Sequence, residues 1–262
     1  MRAIIMVLTI LGQLLAWDFQ LKLLQALSRP AVRRHLDRRV PHMAHRLLVL
    51  ACRYGGLNVD LDPDLKSAPP NPALVCANHQ SVADIVVLPD ALSAHRVRFV
   101  AKRELARGFP AVSEVLRLQG HALINRKGDF KQGTRELHRI GRETHEGISP
   151  VVFPEGTRSR TGAVREFHPG GVRTILSESS VPIVAVAVDG GHRFVSMKDI
   201  VGGLSEITYR AKLVGVFEHD GGKDSIRTAL RNAHDAVAAQ IERWRSEAQP
   251  AEAVFEIAEE GQ

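Results

Sequence analysis

ALVCANHQSVADIVVLPDAL (residues 73–92) is the stretch that decides how this chain folds. Its first five residues are apolar and follow the proline-rich PPNP, the pattern of a short buried strand. A polar turn, NHQS, comes next, and ADIVVLPDAL (83–92) then reads as a helix that Pro89 bends or ends. The alternation repeats downstream. VRFVA (97–101), HALIN (121–125), PVVFP (150–154) and PIVAVAV (182–188) read as further strands, with helices expected over about 103–118, 130–146 and 170–179. ITYRAKLVGVF (207–217) reads as a late strand at the sheet edge, and 223–247 as an amphipathic helix. The expected fold is therefore α/β: a mostly parallel or mixed central sheet flanked by helices. In such sheets functional groups gather in the loops after strand carboxyl ends.

Upstream the chemistry changes. Residues 3–17, AIIMVLTILGQLLAW, are apolar apart from Thr9 and Gln13, and Asp18 and Lys22 then interrupt the run. A helix needs about 20 apolar residues to cross a bilayer core, and the uninterrupted stretch is shorter. A secretory signal is disfavoured, since only Arg2 precedes the apolar run and no A-x-A site follows it. RPAVRRHLDRRVPHMAHR (29–46) sets Arg29, Arg33, Arg34, Arg38, Arg39 and Arg46 against Asp37 alone. Pro30 suits a first helical turn, while Pro41 would bend or end the helix. An apolar helix followed by a basic one is expected to lie at a membrane surface, each arginine adding ~1 kcal/mol against anionic lipid. The arginines favour the cytoplasmic face.

Composition narrows the classes. The 262 residues are 44% hydrophobic and 24% charged, which excludes a disordered chain, a collagen-like repeat and a polytopic membrane protein. A net charge of +6 favours a polyanionic partner: nucleic acid, an anionic bilayer or a phosphorylated substrate. Aromatic residues are only 5% and nowhere interleave with basic ones as a base-stacking platform requires, so no nucleic-acid partner is expected. Cys52 and Cys76 form no C-x-x-C pair, so neither a disulfide framework nor a zinc site is expected.

Three strand ends carry concentrated polar residues. After ALVCA, NHQSVAD holds His79 and Asp84. Histidine suits general-base work near neutrality, and a carboxylate on its second nitrogen fixes the tautomer. Five residues apart on a straight helix the two would face apart. The pairing therefore requires His79 on the turn before a helix and Asp84 in its first turns. After PVVFP, the loop with Glu155, Gly156, Thr157 and Arg158 offers small residues, free backbone N–H groups and a guanidinium fork that fits phosphate. Arg126 after HALIN and Lys102 after VRFVA each read singly as a surface charge; the alternative, since both follow neighbouring strands, is that they form one anion pocket.

NHQSVAD, GHALINR, FPEGTRS and VPIVAV, in that order and with AKREL around Lys102, resemble the four sequence blocks of the glycerolipid acyltransferase family, most closely the 1-acylglycerol-3-phosphate acyltransferases. The likeness spans roughly residues 70 to 190. It implies His79 as general base and Asp84 as its orienting carboxylate. It further implies Glu155, Gly156, Thr157 and Arg158 as acceptor-binding residues, with Arg126 and Lys102 at the phosphate. The acyl group would pass from coenzyme A or acyl carrier protein to the free hydroxyl of 1-acylglycerol 3-phosphate, giving phosphatidic acid, with no cofactor and no metal. The domain reading that follows is 1–52 for the membrane-associating helices, 53–250 for the acyltransferase domain and 251–262 for an acidic tail. Two departures bear on the acceptor headgroup: Leu123 to Asn125 replace an aromatic residue and an Asp often found before the Arg of the second block, and FHPGG carries His168 and Pro169 where lysines are common. Acylation of another lysolipid, such as a lysophospholipid or a lyso-ornithine lipid, is the near alternative. A non-catalytic lipid-binding protein is the more distant one, and it would need no base.

Overall fold

The computed structural model describes residues 2–25, 28–125, 130–193 and 204–248. Its centre is a seven-stranded sheet in the order β1-β7-β6-β2-β5-β3-β4. The strands are β1 Asn58–Leu61, β2 Leu74–Ala77, β3 Arg96–Lys102, β4 Ala122–Ile124, β5 Ile148–Val152, β6 Ile183–Asp189 and β7 Thr208–Phe217. Every neighbouring pair is parallel except β6 with β7, which is antiparallel. The mixed sheet expected from the alternating pattern is thus present. β2 and β5 are buried along their whole length, because helices cover both faces of a parallel sheet; such strands are near-continuous in apolar residues, and the one polar residue of β5, Ser149, is hydrogen-bonded to Ala73 N.

One face packs under α4 (Asp84–Ala91), where Val87 and Leu88 meet Val75, Val151 and Val186. The other face carries α6 (Phe130–Arg142), α7 (Pro169–Leu176) and α8 (Lys223–Ala248), whose Ile140, Ile175 and Leu230 cover Cys76, Val152 and Ala185. α3 (Asp64–Ser67) is a single turn, and α5 (Val112–Leu118) follows β3.

Three local expectations are corrected. The 207–217 strand is not at the edge: β7 lies inside the sheet, and β1 pairs with it from Asn58↔Thr208 to Leu61↔Ala211. Only four residues long and half exposed, β1 has too little apolar signal to announce itself. The helix expected over 103–118 is split into a 3₁₀ turn at Arg103–Ala106 and α5, because Gly108 adopts φ +81° and Pro110 cannot donate a helical hydrogen bond. Pro41 does not end its helix, which runs through it.

That helix is α2 (Arg29–Leu50), and it pairs with α1 (Arg2–Leu24). Trp17, Leu21, Leu36 and Met43 form a third core that also takes in Ala111. Asp37, the one acid of the basic segment, faces the sheet: it accepts from Arg98 Nη2 at 2.6 Å, Arg96 Nε at 2.9 Å and Gln119 Nε2 at 3.1 Å. The helical pair is thereby docked onto β3 and the end of α5. Its outer side is different. Ile4, Leu8, Leu11, Leu15, Phe19 and Leu23 are exposed at spacings of three and four, a continuous apolar stripe along α1. Leu23 and Trp17 adjoin His35 and Arg39, and Arg38, His42 and Arg46 extend that basic surface along α2.

Candidate active site

The registers Cys76↔Val152, Phe99↔Val151 and Lys102↔Ile124 align the carboxyl ends of β2, β5, β3 and β4 along one edge. The three polar strand ends of the sequence therefore open on the same side. The NHQS turn carries His79 off the end of β2, and α4 begins at Asp84 itself. The turn folds back because one carboxylate oxygen gathers it: Asp84 Oδ2 accepts from Gln80 N at 2.9 Å and Ser81 N at 3.1 Å. The same oxygen lies 2.6 Å from His79 Nδ1. With Asp84 as acceptor, Nδ1 carries the proton and Nε2 is left as the basic nitrogen. Asp84 is fully buried, whereas the His79 side chain retains 19% of its exposure. That is the placement a general base needs: its partner inside, its working face accessible.

The second loop holds the first in place. Phe153 stacks on the His79 ring with centroids 4.0 Å apart and planes at 14°. Ser159 N donates to His79 O at 2.7 Å, and His79 N donates to Glu155 Oε1 at 2.8 Å. Glu155 was expected among the acceptor-binding residues. The structure instead buries it, 3% exposed, behind the His79 turn, where its carboxyl faces a backbone N–H rather than the open groove. Gly156, at φ +70°, turns the chain so that Thr157 and Arg158 emerge on the surface beside the dyad. Lys102 is exposed at the end of β3, two strands from β2 on the same edge. Arg126 lies outside the described residues.

Burial pushes the Glu155 carboxyl up to about 7, against the opposing pull of the His79 and Arg165 backbone N–H groups. A group raised in the folded state binds more protons folded than unfolded, so stability falls as pH rises from the ordinary glutamate range to about 7. Glu155→Gln keeps the acceptor for His79 N but cannot ionise. The variant should match the wild type in melting temperature at pH 5 and exceed it increasingly up to pH 8, in thermal unfolding followed by circular dichroism. A constant difference across that range would show that Glu155 ionises in the fold as it does in the unfolded chain, without the rise that burial imposes.

Several residues at the site escaped the sequence reading. Asn78 bridges to β6 as a strand would, donating from Nδ2 to Val188 O and accepting from Val188 N, both at 2.8 Å. Gln80 Nε2 donates to Asp189 Oδ1 at 2.9 Å. For both, a usable signal existed: uncharged polar side chains directly after a fully buried strand must find partners. Tyr209 of β7 donates its hydroxyl to Asp84 Oδ1, and nothing in the sequence near it announces this.

An apolar cleft lies beyond the Phe153 ring, on the α4 and β3 side of the dyad. Its lining includes Trp17 and Leu14 of α1, Met43 and Leu47 of α2, and Ile85 and Phe99 from α4 and β3. Phe99 lies 6.1 Å from the Phe153 ring that stacks on His79, so the cleft begins two rings from the imidazole.

Residues 63–189 match the family model described as Acyltransferase. A probable 1-acyl-sn-glycerol-3-phosphate acyltransferase of Mycoplasma genitalium is 32% identical over 129 residues, 48% of this chain and 47% of the relative. The 1-acyl-sn-glycerol-3-phosphate acyltransferase of Salmonella typhimurium is 29% identical over 186 residues, 71% of this chain and 72% of the relative. The lyso-ornithine lipid O-acyltransferase of Rhizobium meliloti is 35% identical over 120 residues, 46% of this chain and 38% of the relative. Apart from the Salmonella proteins, the chain spans about half the length, or less, of these and other curated relatives it matches. Among solved structures, the 1-acyl-sn-glycerophosphate acyltransferase PlsC of Thermotoga maritima shares the fold, with a TM-score of 0.64 at 18% identity over 94% of this chain and 98% of that one.

Proposed function

From the match of residues 63–189 to the acyltransferase family model, we propose that this chain transfers a fatty acyl group from a thioester to the free hydroxyl of a lysolipid, with 1-acylglycerol 3-phosphate as the acceptor and phosphatidic acid as the product. The observation that carries the reading is the His79–Asp84 pair, whose 2.6 Å bond leaves Nε2 as a base on an imidazole separated by the Phe153 ring from Phe99 of an apolar cleft.

In this reading Nε2 takes the proton of the acceptor hydroxyl as its oxygen attacks the thioester carbonyl. Collapse of the tetrahedral intermediate breaks the carbon–sulfur bond, and the imidazolium returns its proton to the departing thiolate. Asp84 stabilises the imidazolium between the two steps. No acyl-enzyme forms and no cofactor is consumed; acyl-CoA or an acyl carrier protein thioester is a co-substrate. The intermediate's oxyanion requires donors. The N–H groups of His79, Gln80, Ser81, Gly156 and Ser159 are occupied by Glu155, Asp84, Phe153 and His79. We assign the oxyanion to the N–H groups of Thr157 and Arg158, the next in the loop. Arg158 and Lys102 would meet the acceptor phosphate, with Arg126 on the segment after β4. The apolar cleft would house an acyl chain.

Lyso-ornithine lipid as acceptor is the second reading, favoured by the 35% identity to the Rhizobium meliloti relative and by the departures at 123–125 and 168–169. The test supplies the purified chain in vesicles with acyl-CoA or acyl carrier protein thioester and each lysolipid in turn, following free thiol and lipid product. Thiol release with phosphatidic acid supports the first reading. Release with lyso-ornithine lipid alone supports the second, and binding without release from any acceptor overturns both.

The docked helical pair supports a monotopic position on the cytoplasmic face. One side of α1 is used up in packing and the other presents the apolar stripe, so the helix would lie in the interface with the α2 arginines at headgroup level. Leu8→Asp with Leu15→Asp should cut binding to anionic vesicles at least about tenfold in co-sedimentation, since burying each leucine is worth roughly 1.5–3 kcal/mol. Unchanged binding would remove α1 as the anchor.

A further inference from the structure

We propose that Tyr209 is a positioning residue for the His79–Asp84 pair: its hydroxyl fixes the second oxygen of the Asp84 carboxylate from a strand outside all the motif loops. The inference rests on His79 acting as the general base.

Asp84 offers two oxygens. Oδ2 already serves His79 Nδ1, Gln80 N and Ser81 N, so its direction is set by the turn it closes. Oδ1 is met by Tyr209 OH, which arrives from β7, 125 residues further along the chain. The two attachments come from opposite sides, and together they prevent the carboxylate plane from rotating about the Cβ–Cγ bond away from the imidazole. Tyr209 is wholly buried, on the face of the sheet that packs under α4. A phenylalanine would fill that space equally well, and a buried hydroxyl is costly unless bonded. The hydroxyl is therefore accounted for by its bond, not by packing.

The surrounding backbone admits this approach. Gly190, at φ +92°, turns the chain at the end of β6, and a Cβ there would lie 2.2 Å from Thr208 O. A Cβ on Gly191 would lie 2.8 Å from Ser81 Cβ and 3.2 Å from both Gln80 Cβ and Tyr209 Cε2. The two glycines thus let the His79 turn, the end of β6 and the Tyr209 ring share one point. The charged groups facing the phenol are Asp84 from α4 and Asp189 from β6, with His79 one hydrogen bond beyond. Burial, followed by these carboxylates, pushes the phenol well above its ordinary value, so it remains a donor throughout the working pH range.

Donation to Oδ1 draws charge from the carboxylate. Without it Asp84 holds the imidazolium more tightly but in a less defined orientation. Tyr209→Phe should lower kcat about tenfold or more, the size known for outer partners that orient a metal-ligating histidine. KM for both substrates should hold, and the acid limb of the kcat/KM profile should move to higher pH. In an Asp84→Ala background the same change should cost less than about twofold, because the side chain through which Tyr209 acts is gone. A readout without turnover completes the test. The chain has two tyrosines, Tyr54 and Tyr209. With both replaced by 3-fluorotyrosine, the Tyr209 fluorine resonance should titrate at the pH of the acid limb, lose that step in His79→Ala, and do so while Tyr54 stays flat. A flat Tyr209 resonance, or a Tyr209→Phe profile superimposable on the wild type, overturns the proposal; if Tyr209→Phe does not fold, the resonance alone decides. A titrating resonance in a chain inert to every lysolipid upholds the coupling and removes the acyl-transfer reading instead.

Discussion

His79→Ala should abolish acyl transfer, lowering kcat by about 10³-fold or more while lysolipid binding persists, since a positioned general base contributes about 10²–10⁴ and here the same ring also returns the proton to the thiolate. The expected signature is a loss in kcat with little change in KM, because His79 acts on the hydroxyl as it reacts. The fold should survive. The ring keeps 19% of its exposure and makes one side-chain hydrogen bond, while the turn itself is held through backbone groups by Glu155 and Ser159. Circular dichroism and vesicle co-sedimentation would establish that, and thiol release would report turnover. A variant that folds, binds and still releases thiol at the wild-type rate would eliminate His79 as the base.

Asp84→Asn is expected to be nearly as damaging, with kcat down by about 10²–10⁴, the upper end being the loss known for the corresponding exchange in a serine–histidine–aspartate triad. The amide is the same size, so packing is retained. Its single oxygen can still accept from His79 Nδ1 and the N–H groups of Gln80 and Ser81, which directs the new NH₂ at the Tyr209 oxygen. The hydrogen bonds are thus largely conserved and the negative charge is lost. Two outcomes separate charge from architecture. If Asp84 only closes the turn, Asp84→Asn should be near wild type and Asp84→Ala inactive and less stable. If it stabilises the imidazolium, both are inactive, and the residual activity of Asp84→Asn shows its acid limb moved to lower pH. The shift is opposite to that expected for Tyr209→Phe.

Most of the fold could be read from the linear chain because its evidence is local. β2, β5 and β6 are buried on both faces: LVCA and IVAVAV are unbroken apolar runs, and in ISPVV the one polar residue, Ser149, has its hydroxyl bonded to Ala73 N and His95 Nδ1. Two elements depend instead on a neighbour that overrides local preference. Asn58–Leu61 becomes a strand only because β7 offers it a ladder. Pro41 is tolerated because Leu36, Met43 and Ala44 pin α2 on either side of it.

The site divides in the same way. His79 and Asp84 were legible as a pair because they are five residues apart, and a turn leading into a helix is the local geometry that closes that distance. The role of Glu155 could not be read locally: its partner is the backbone of His79, 76 residues earlier, and only the adjacency of β2 and β5 reveals that it faces inward. Tyr209 is the extreme case, one residue of an alternating strand with no motif around it.

By itself, then, the amino-acid sequence determined the α/β class, the family likeness, the pairing of His79 with Asp84, and the apolar and basic character of the first two helices, since each of these depends on residues close together along the chain. The tertiary structure decided what depends on distance: the strand order that gathers four loops on one edge, the inward turn of Glu155, the docking of the helical pair through Asp37, and the hydroxyl of Tyr209 on Asp84. Hydrogen bonds and burial act through space, and a side chain's role is complete only when the chain has brought its partners within about 3 Å.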